Sequence, residues 1–164
     1  MKYCPCCKDD LELRRLDGVE RQVCCNSECD FVVWDNPVPV VAGLVTYQDK
    51  LLLARNSAWP EGMFSLITGY LERHESPQAA IEREVKEETG LDVTQVDFIG
   101  HYPFVAKNQI IMAFATKAQG ELCLNDEISE IELINPADIR HKDFGKLVLT
   151  AQIIHEWLQV FESG

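Results

Sequence analysis

The segment from Gly69 to Leu91, GYLERHESPQAAIEREVKEETGL, constrains this chain more than any other stretch. Ser76 and Pro77 are a helix-start signal, because Ser caps free N–H groups and Pro suits the first turn. Gly90 is a stop signal, since Gly adopts the left-handed cap conformation with little strain. A helix of about 13 residues is therefore predicted between them, with Ile81 and Val85 facing the core. Glu84, Glu87 and Glu88 stand at i, i+3 and i+4, so three carboxylates share one helix face. Like charges at that spacing repel, and a helix does not gather them for stability. A hard divalent cation removes the repulsion. Oxygen ligands of this kind suit Mg²⁺, which keeps several waters and shares its shell with substrate phosphates. The competing reading is a solvated acidic face, but a bare acidic run does not also require a glycine, a capped start, an arginine and a stop glycine. Glu75 precedes the helix and Arg83 adjoins Glu84, so a Glu75–Arg83 pair would fix the loop against the helix.

The remaining sequence predicts a mixed α/β domain behind a small cysteine-rich module. Residues 1–36 are rich in Cys and poor in large aliphatics. The Asn36-Pro37 step is a natural joint, which gives units 1–36 and 37–164. In the second unit, Val38–Tyr47 and Lys50–Asn56 read as strands joined by a turn at Gln48-Asp49. Residues 57–63 read as a loop and Phe64–Ile67 as a short strand. Further strands follow near 92–99, 109–117 and 128–134. A last amphipathic helix is expected over about 145–161, with Leu147, Ala151, Ile154, Leu158 and Phe161 near one side.

The net charge of -12 argues against broad electrostatic binding to nucleic acid. It leaves anionic substrates open, because a metal held by carboxylates reverses the local field. No stretch approaches the roughly 20 apolar residues of a membrane span. The opening Met-Lys-Tyr-Cys-Pro-Cys-Cys lacks the apolar run of a secretory signal, so a cytoplasmic protein is expected.

Six of the seven cysteines fall within the first 29 residues, which without a secretory signal favours metal over disulfides. Cys4 and Cys7 have the spacing of a zinc knuckle, with Pro5 typical of such turns. Cys24 or Cys25, with Cys29, would supply the other two ligands. Cys4, Cys7, Cys24 and Cys29 are the favoured set, with Cys6 and Cys25 as neighbours. Four thiolates leave no open position, so the zinc would be structural. A set of free thiols is the competing reading. Cys123 lies among apolar residues and is expected to be a buried free thiol.

The Gly69–Leu91 segment resembles the Nudix box, Gly-x5-Glu-x7-Arg-Glu-apolar-x-Glu-Glu-x-Gly-apolar. Gly69, Glu75, Arg83, Glu84, Val85, Glu87, Glu88, Gly90 and Leu91 match every fixed position. The resemblance implies an α/β/α sandwich with a mixed sheet, and Mg²⁺- or Mn²⁺-dependent hydrolysis of a nucleoside diphosphate linked to another group. It implies Glu84 and Glu88 as main metal ligands, assisted by Glu87 and the carbonyl of Gly69. Glu75 would orient Arg83 and the metal site. Glu87, Glu88 or an acid outside the box would be the general base. The residue before the first box glutamate is often Gly in the family and here is His74.

The cysteine-rich start also resembles Nudix proteins that carry an N-terminal zinc ribbon, among them NADH pyrophosphatases and a shorter FAD pyrophosphatase-like group. Residues Trp34–Val41 and Phe64–Glu72 carry that likeness. In NADH pyrophosphatases a Ser-Gln-Pro-Trp-Pro-Phe-Pro-x-Ser motif follows the box. The matching stretch here, Gly100 to Lys107, keeps only Tyr102-Pro103-Phe104. The likeness implies a small nucleotide substrate of the NADH, FAD or ADP-ribose type, and a possible homodimer through the ribbon. Glu127 matches a further metal-binding acid of that subgroup, with Glu130 as the alternative. Tyr102 and Phe104 are candidates to stack on a base or flavin ring, and Trp59 is another. Arg55 is a candidate phosphate contact and His101 a weaker one. Strand packing, for the aromatics, and a surface salt bridge, for Arg55, compete with these roles.

A second reading from another class is a ligand sensor, with the ribbon as a protein- or RNA-binding module. The intact box favours catalysis, and the acids of residues 1–36 outnumber Lys2, Lys8, Arg14, Arg15 and Arg21.

Overall fold

The computed structural model describes residues 1–162, with side chains to residue 160. The chain divides into two compact units, Met1–Pro37 and Val38–Gly164. In the first unit, β1 (Leu11–Leu16), β2 (Val19–Cys24) and β3 (Val32–Val33) form a small antiparallel sheet in the order β1-β2-β3. The β1–β2 turn places Asp17 and Gly18 at positive φ, as a two-residue hairpin of this twist requires.

The second unit is built on a six-stranded mixed sheet. Its strands are β4 (Val38–Tyr47), β5 (Lys50–Asn56), β6 (Ile67–Tyr70), β7 (Asp92–Phe104), β8 (Gln109–Gln119) and β9 (Ile128–Ile134). The order is β7-β8-β4-β5-β9, with β6 paired to β4. β4 runs parallel to β8, and the other pairs are antiparallel. Along one edge β4 carries two partners in turn. Its first half, Val40–Gly43, pairs with β6, and its second half, Val45–Tyr47, pairs with β5.

β4 and β5 read as nearly unbroken apolar runs because both faces of the sheet are covered. On one face, Val41, Val45, Leu52, Ala54 and Ile67 meet Ala80, Ile81 and Val85 of helix α1 (Pro77–Thr89). On the other, Val40, Ala42, Leu44, Leu51 and Leu53 meet Ile153, Ile154 and Leu158 of helix α3 (Val148–Glu162), together with Ile139 of the short helix α2 (Pro136–Ile139). This is the expected α/β/α sandwich. Among the described residues no helix is long and apolar enough to cross a membrane.

Several boundaries differ from the expectation. Phe64–Ile67 is not a strand: Ser65 makes a single bridge to Ala54, and the ladder with β4 begins only at Ile67, opposite Gly43. Leu66 and Phe64 join the α3-side core without continuous pairing. β7 continues to Phe104, past two irregularities at Val93/Gln95 and Phe98/Gly100. α3 starts at Val148, because Gly145 takes φ 54 and gives its N–H to the Asp143 side chain. Phe161 lies outside the described side chains.

Helix α1 lies close on the sheet because Gly43 has no side chain. A Cβ there would stand 2.7 Å from Cδ1 and 2.9 Å from Cγ1 of Ile81, which is fully buried. Gly43→Ala should therefore lower unfolding free energy by about 1–3 kcal/mol, the usual cost of overpacking. Urea denaturation checks this, and a variant as stable as the parent would contradict the packing described.

Candidate active site

Local sequence fixes both ends of α1. The Ser76 Oγ accepts from the Ala79 N–H at 3.2 Å, Pro77 opens the first turn, and Gly90 closes the helix at φ 74 with its N–H on the Lys86 carbonyl. Gly90 is doubly required, since a Cβ there would also press on the Cys123 Cβ at 2.9 Å.

β6 passes beneath this helix and brings Gly69 against Glu84. A Cβ on Gly69 would overlap the Cδ and Oε1 of Glu84, so the carboxylate lies directly over bare backbone. The loop between them is tied down by one guanidinium. Arg83 donates from Nε and Nη2 to the two oxygens of Glu75, at 2.9 Å each. Its Nη1 donates to Glu84 at 2.8 Å and to Glu87 at 3.1 Å, and Nη2 also reaches the Tyr70 carbonyl at 3.0 Å. Glu75 accepts a further bond from the Glu72 N–H at 3.0 Å. The Arg83 hydrogen bonds hold the Glu75 carboxyl below the usual carboxylate range, and Glu75 first, then Glu84, raise the guanidinium pKa.

The turn closed by the Glu75 N–H on the Glu72 carbonyl puts His74 at φ 69, a region that favours glycine. This is the position where the box commonly has Gly, so the departure noted in the sequence is accommodated by a strained backbone rather than by a different loop.

Glu88 is only 6% exposed and has no cationic partner among the described residues. Burial, followed by the charges of Glu84, Glu127 and Glu87, pushes its pKa up to about 8. Glu84 is raised as well, mainly by burial, even though Arg83 opposes it. Glu127, from the loop between β8 and β9, adds a like charge that raises both. Glu84 and Glu88 thus share a negative field with Glu87 and Glu127, and Arg83 pairs with Glu84 and Glu87. That donor set suits a hard divalent cation.

The other sequence candidates fall elsewhere. Tyr102 is buried in the α3-side core, where its hydroxyl donates to Glu156 at 2.6 Å. It cannot stack on a ligand, because strand parity turns it inward under α3. Phe104 is half-buried against the same core, with Lys107 over its ring. Arg55 pairs with Glu130 at 3.2 Å and donates to the Trp59 carbonyl, so the salt-bridge reading holds for it. Cys123 is exposed, not buried: it lies in the connection after β8, packed against Gly90. His101 is exposed and stacks on Phe98 at an apolar cavity of about 440 Å³ over β7 and β8. Sequence reasoning passed over Tyr70. Its ring is 58% exposed immediately after Gly69, and its hydroxyl accepts from the Gln109 side chain at 3.1 Å. Its adjacency to Gly69 was the available signal.

In the first unit, the Sγ atoms of Cys4, Cys7, Cys24 and Cys29 all lie within 4.8 Å of one another. Cys7 and Cys24 are 3.3 Å apart, and Cys4 and Cys29 3.7 Å. Cys6 and Cys25 are exposed and outside the cluster, so the geometry selects Cys24 over Cys25. Four crowded sulfurs cannot all ionise without a cation. Burial pushes Cys24 up to about 12, whereas Cys4 falls to about 7 because the backbone N–H groups of Cys7 and Cys6 outweigh the opposing effect of its burial.

The family model for the NUDIX domain matches residues 37–155, and the chain belongs to that family. It is 31% identical over 120 residues to the NAD-capped RNA hydrolase NudC of Vibrio atlanticus, covering 73% of this chain and 43% of that protein. It is 30% identical over 129 residues to the mitochondrial NAD(P)H pyrophosphatase NUDT13 of Mus musculus, covering 77% and 36%. The chain thus spans less than half the length of these curated relatives. A NUDIX hydrolase structure from Nitrosomonas europaea superposes with a TM-score of 0.81 at 23% identity, over all of this chain and 94% of that one. The NUDIX domain of Shewanella oneidensis NrtR, complexed with ADP ribose, has a TM-score of 0.63 at 16% identity, over 76% and 88%.

The raised pKa of Glu88 has a sign that can be tested. A carboxyl whose folded pKa exceeds its unfolded value favours folding fully below the unfolded value and loses that stability as pH rises through the folded one. Without added divalent metal, the melting temperature should fall between about pH 5 and about pH 8. Millimolar Mg²⁺ or Glu88→Gln should flatten that fall. A Glu88→Gln profile parallel to the parent's would refute the role given to this carboxyl.

Proposed function

We propose that this chain is a metal-dependent Nudix pyrophosphohydrolase, cleaving the diphosphate linkage of a dinucleotide or nucleoside diphosphate derivative of the NADH, FAD or ADP-ribose type. The observation that carries this is Glu84 seated on the bare backbone of Gly69, with Glu88 buried beside it on the same helix and no arginine or lysine paired to Glu88 among the described residues. The names of the relatives, an NAD-capped RNA hydrolase and an NAD(P)H pyrophosphatase, support the substrate class, as does the ADP ribose complex of a fold neighbour. A sensor has no use for so many uncompensated carboxylates, so the box supports catalysis.

Mg²⁺ or Mn²⁺ would be held by Glu84, Glu87, Glu88, Glu127 and the Gly69 carbonyl. When bound, such an ion polarises bridging phosphate oxygens and lowers the pKa of an attacking water. The chain's own groups do the rest. Arg83 and Glu75 hold the loop so that Glu84 and Glu88 keep their aim. Glu87, which is exposed, or Glu88 would take a proton from water. Tyr70, exposed and next in sequence to Gly69, is the aromatic group proposed to meet substrate in place of Tyr102. Phe104 and Arg55 would meet substrate only by leaving their present partners, Lys107 for the ring and Glu130 for the guanidinium.

Residues 1–36 are assigned as a zinc ribbon and 37–164 as the catalytic domain. The division of the chain after Pro37 and the start of the family match at residue 37 support this. The zinc would be structural, on Cys4, Cys7, Cys24 and Cys29. Close-set cysteines that hold zinc rather than pair as disulfides would suit a reducing compartment such as the cytoplasm.

Two experiments test the reading. The protein should turn over one of NADH, FAD, ADP-ribose, diadenosine polyphosphates or nucleotide sugars with Mg²⁺, with products followed by chromatography. Glu84→Gln and Glu88→Gln should each lower kcat by about 10²-fold or more with the fold retained. Full activity in both would overturn the proposed centre. Separately, metal analysis of the purified chain should find about one zinc per chain, lost in Cys24→Ser. A zinc-free, well-folded parent would remove the ribbon assignment.

A further inference from the structure

The oxygen donors assigned to the divalent ion differ in how they are held. Glu84, Glu87 and Glu88 stand on helix α1 and Gly69 on β6, whereas Glu127 comes from the irregular loop 120–127 between β8 and β9. Mg²⁺ tolerates little departure from octahedral geometry, so a carboxylate on a loop needs its own support to share the ion.

The loop is docked on the catalytic helix through its backbone. The last carbonyls of an α-helix have no partner within the helix. Two of those in α1 are taken by this loop. The Cys123 N–H donates to the Thr89 carbonyl at 2.9 Å, and the Asn125 N–H donates to the Glu88 carbonyl at 3.3 Å. Asn125 then turns the chain. Its Oδ1 accepts from the Glu127 N–H at 3.0 Å and from the Ile128 N–H at 3.3 Å. From the loop after β5, the Ser57 N–H donates to the Glu127 carbonyl at 2.7 Å. Both backbone polar groups of Glu127 are therefore held. Asp126 and Glu127 are exposed, so the turn itself gains little from burial, while Asn125 is half-buried. Asn125 thus grips the helix turn of Glu88 with its N–H and the backbone of Glu127 with its side chain. A short side-chain acceptor reaches N–H groups two and three residues on, which an apolar or a longer side chain does not.

We propose that Asn125 is a positioning residue for the metal centre: its side chain sets the Glu127 carboxylate relative to Glu88 and so tunes the affinity for the divalent ion. The inference rests on the metal centre proposed above.

The full chain and its variants are titrated with Mn²⁺, free ion is read by electron paramagnetic resonance, and folding is checked by circular dichroism. Asn125→Ala should bind Mn²⁺ about tenfold more weakly, the usual cost of losing a group that orients a metal ligand. Asn125→Asp keeps the acceptor and should restore binding. In a Glu127→Gln background, Asn125→Ala should have no further effect, because it acts through that carboxylate. Parental affinity in Asn125→Ala, or the same loss with and without the Glu127 carboxylate, would overturn the role of Asn125 and leave the metal centre standing. So would parental affinity in Glu127→Gln alongside weak binding in Glu88→Gln. A parent that binds no Mn²⁺ would overturn both. If Asn125→Ala does not fold, Asn125→Gln decides, since it keeps the amide but carries it one carbon too far: weakened binding supports the role, and parental binding or a second failure to fold overturns it.

Discussion

The Arg83 guanidinium joins parts of the second unit that are distant in sequence. It takes both oxygens of Glu75, eight residues earlier, and on its own helix it reaches Glu84 and Glu87. Its bond to the Tyr70 carbonyl fastens β6 to the same group. Bidentate, charge-assisted bonds of this kind set direction as well as distance. The loop from Leu71 to Ser76 therefore has one arrangement against α1, although it is short of apolar contacts. What Arg83 leaves undone matters equally. It compensates Glu75 and the outer edges of Glu84 and Glu87, and leaves Glu88 buried among like charges. The result is a fixed frame with a negative centre.

That frame is precise because the surrounding packing is. α1 can approach the sheet only where side chains are missing, at Gly43 beneath Ile81 and at Gly69 beneath Glu84. The first close approach locates the helix and the second locates the carboxylate. Both glycines lie on strands that pair with β4 or belong to it. The height of the carboxylate-bearing face above the sheet is thus set by backbone rather than by loops. Groups built on strands and helices hold their aim better than groups on free segments.

These local rules explain which features could be read from the sequence. Helix α1 could be read to the residue, because Ser76, Pro77 and Gly90 act through their immediate neighbours. The Gln48-Asp49 turn and the strands beside it were legible for the same reason. The start of β6 was not, since Phe64–Ile67 has strand-like composition and only pairing with β4 decides where the ladder begins. Tyr102 illustrates a different limit. Its motif suggested an exposed ring, but which face of β7 turns inward depends on two irregularities and on where α3 lands. Cys123 was misread because apolar neighbours imply burial only inside an element, and it lies between two. The cysteine set could be narrowed by spacing but not closed: Cys24 and Cys25 differ by one residue, and only the fold shows that Cys24 ends β2 buried while Cys25 lies past the strand, exposed.

The two clusters also divide the labour between ions by chemistry. The carboxylates of the second unit are hard donors around an incompletely filled centre, which suits an ion that keeps water and accepts phosphate oxygens. The sulfurs of the first unit are soft, and four of them within 4.8 Å of one another suit a thiophilic ion such as zinc. Softness and geometry, rather than raw affinity, keep such sites from exchanging metals. Four thiolates on one ion would leave no open position, so the first unit would hold its metal for structure, and the second, with its centre incompletely filled, would keep the place where phosphate binds.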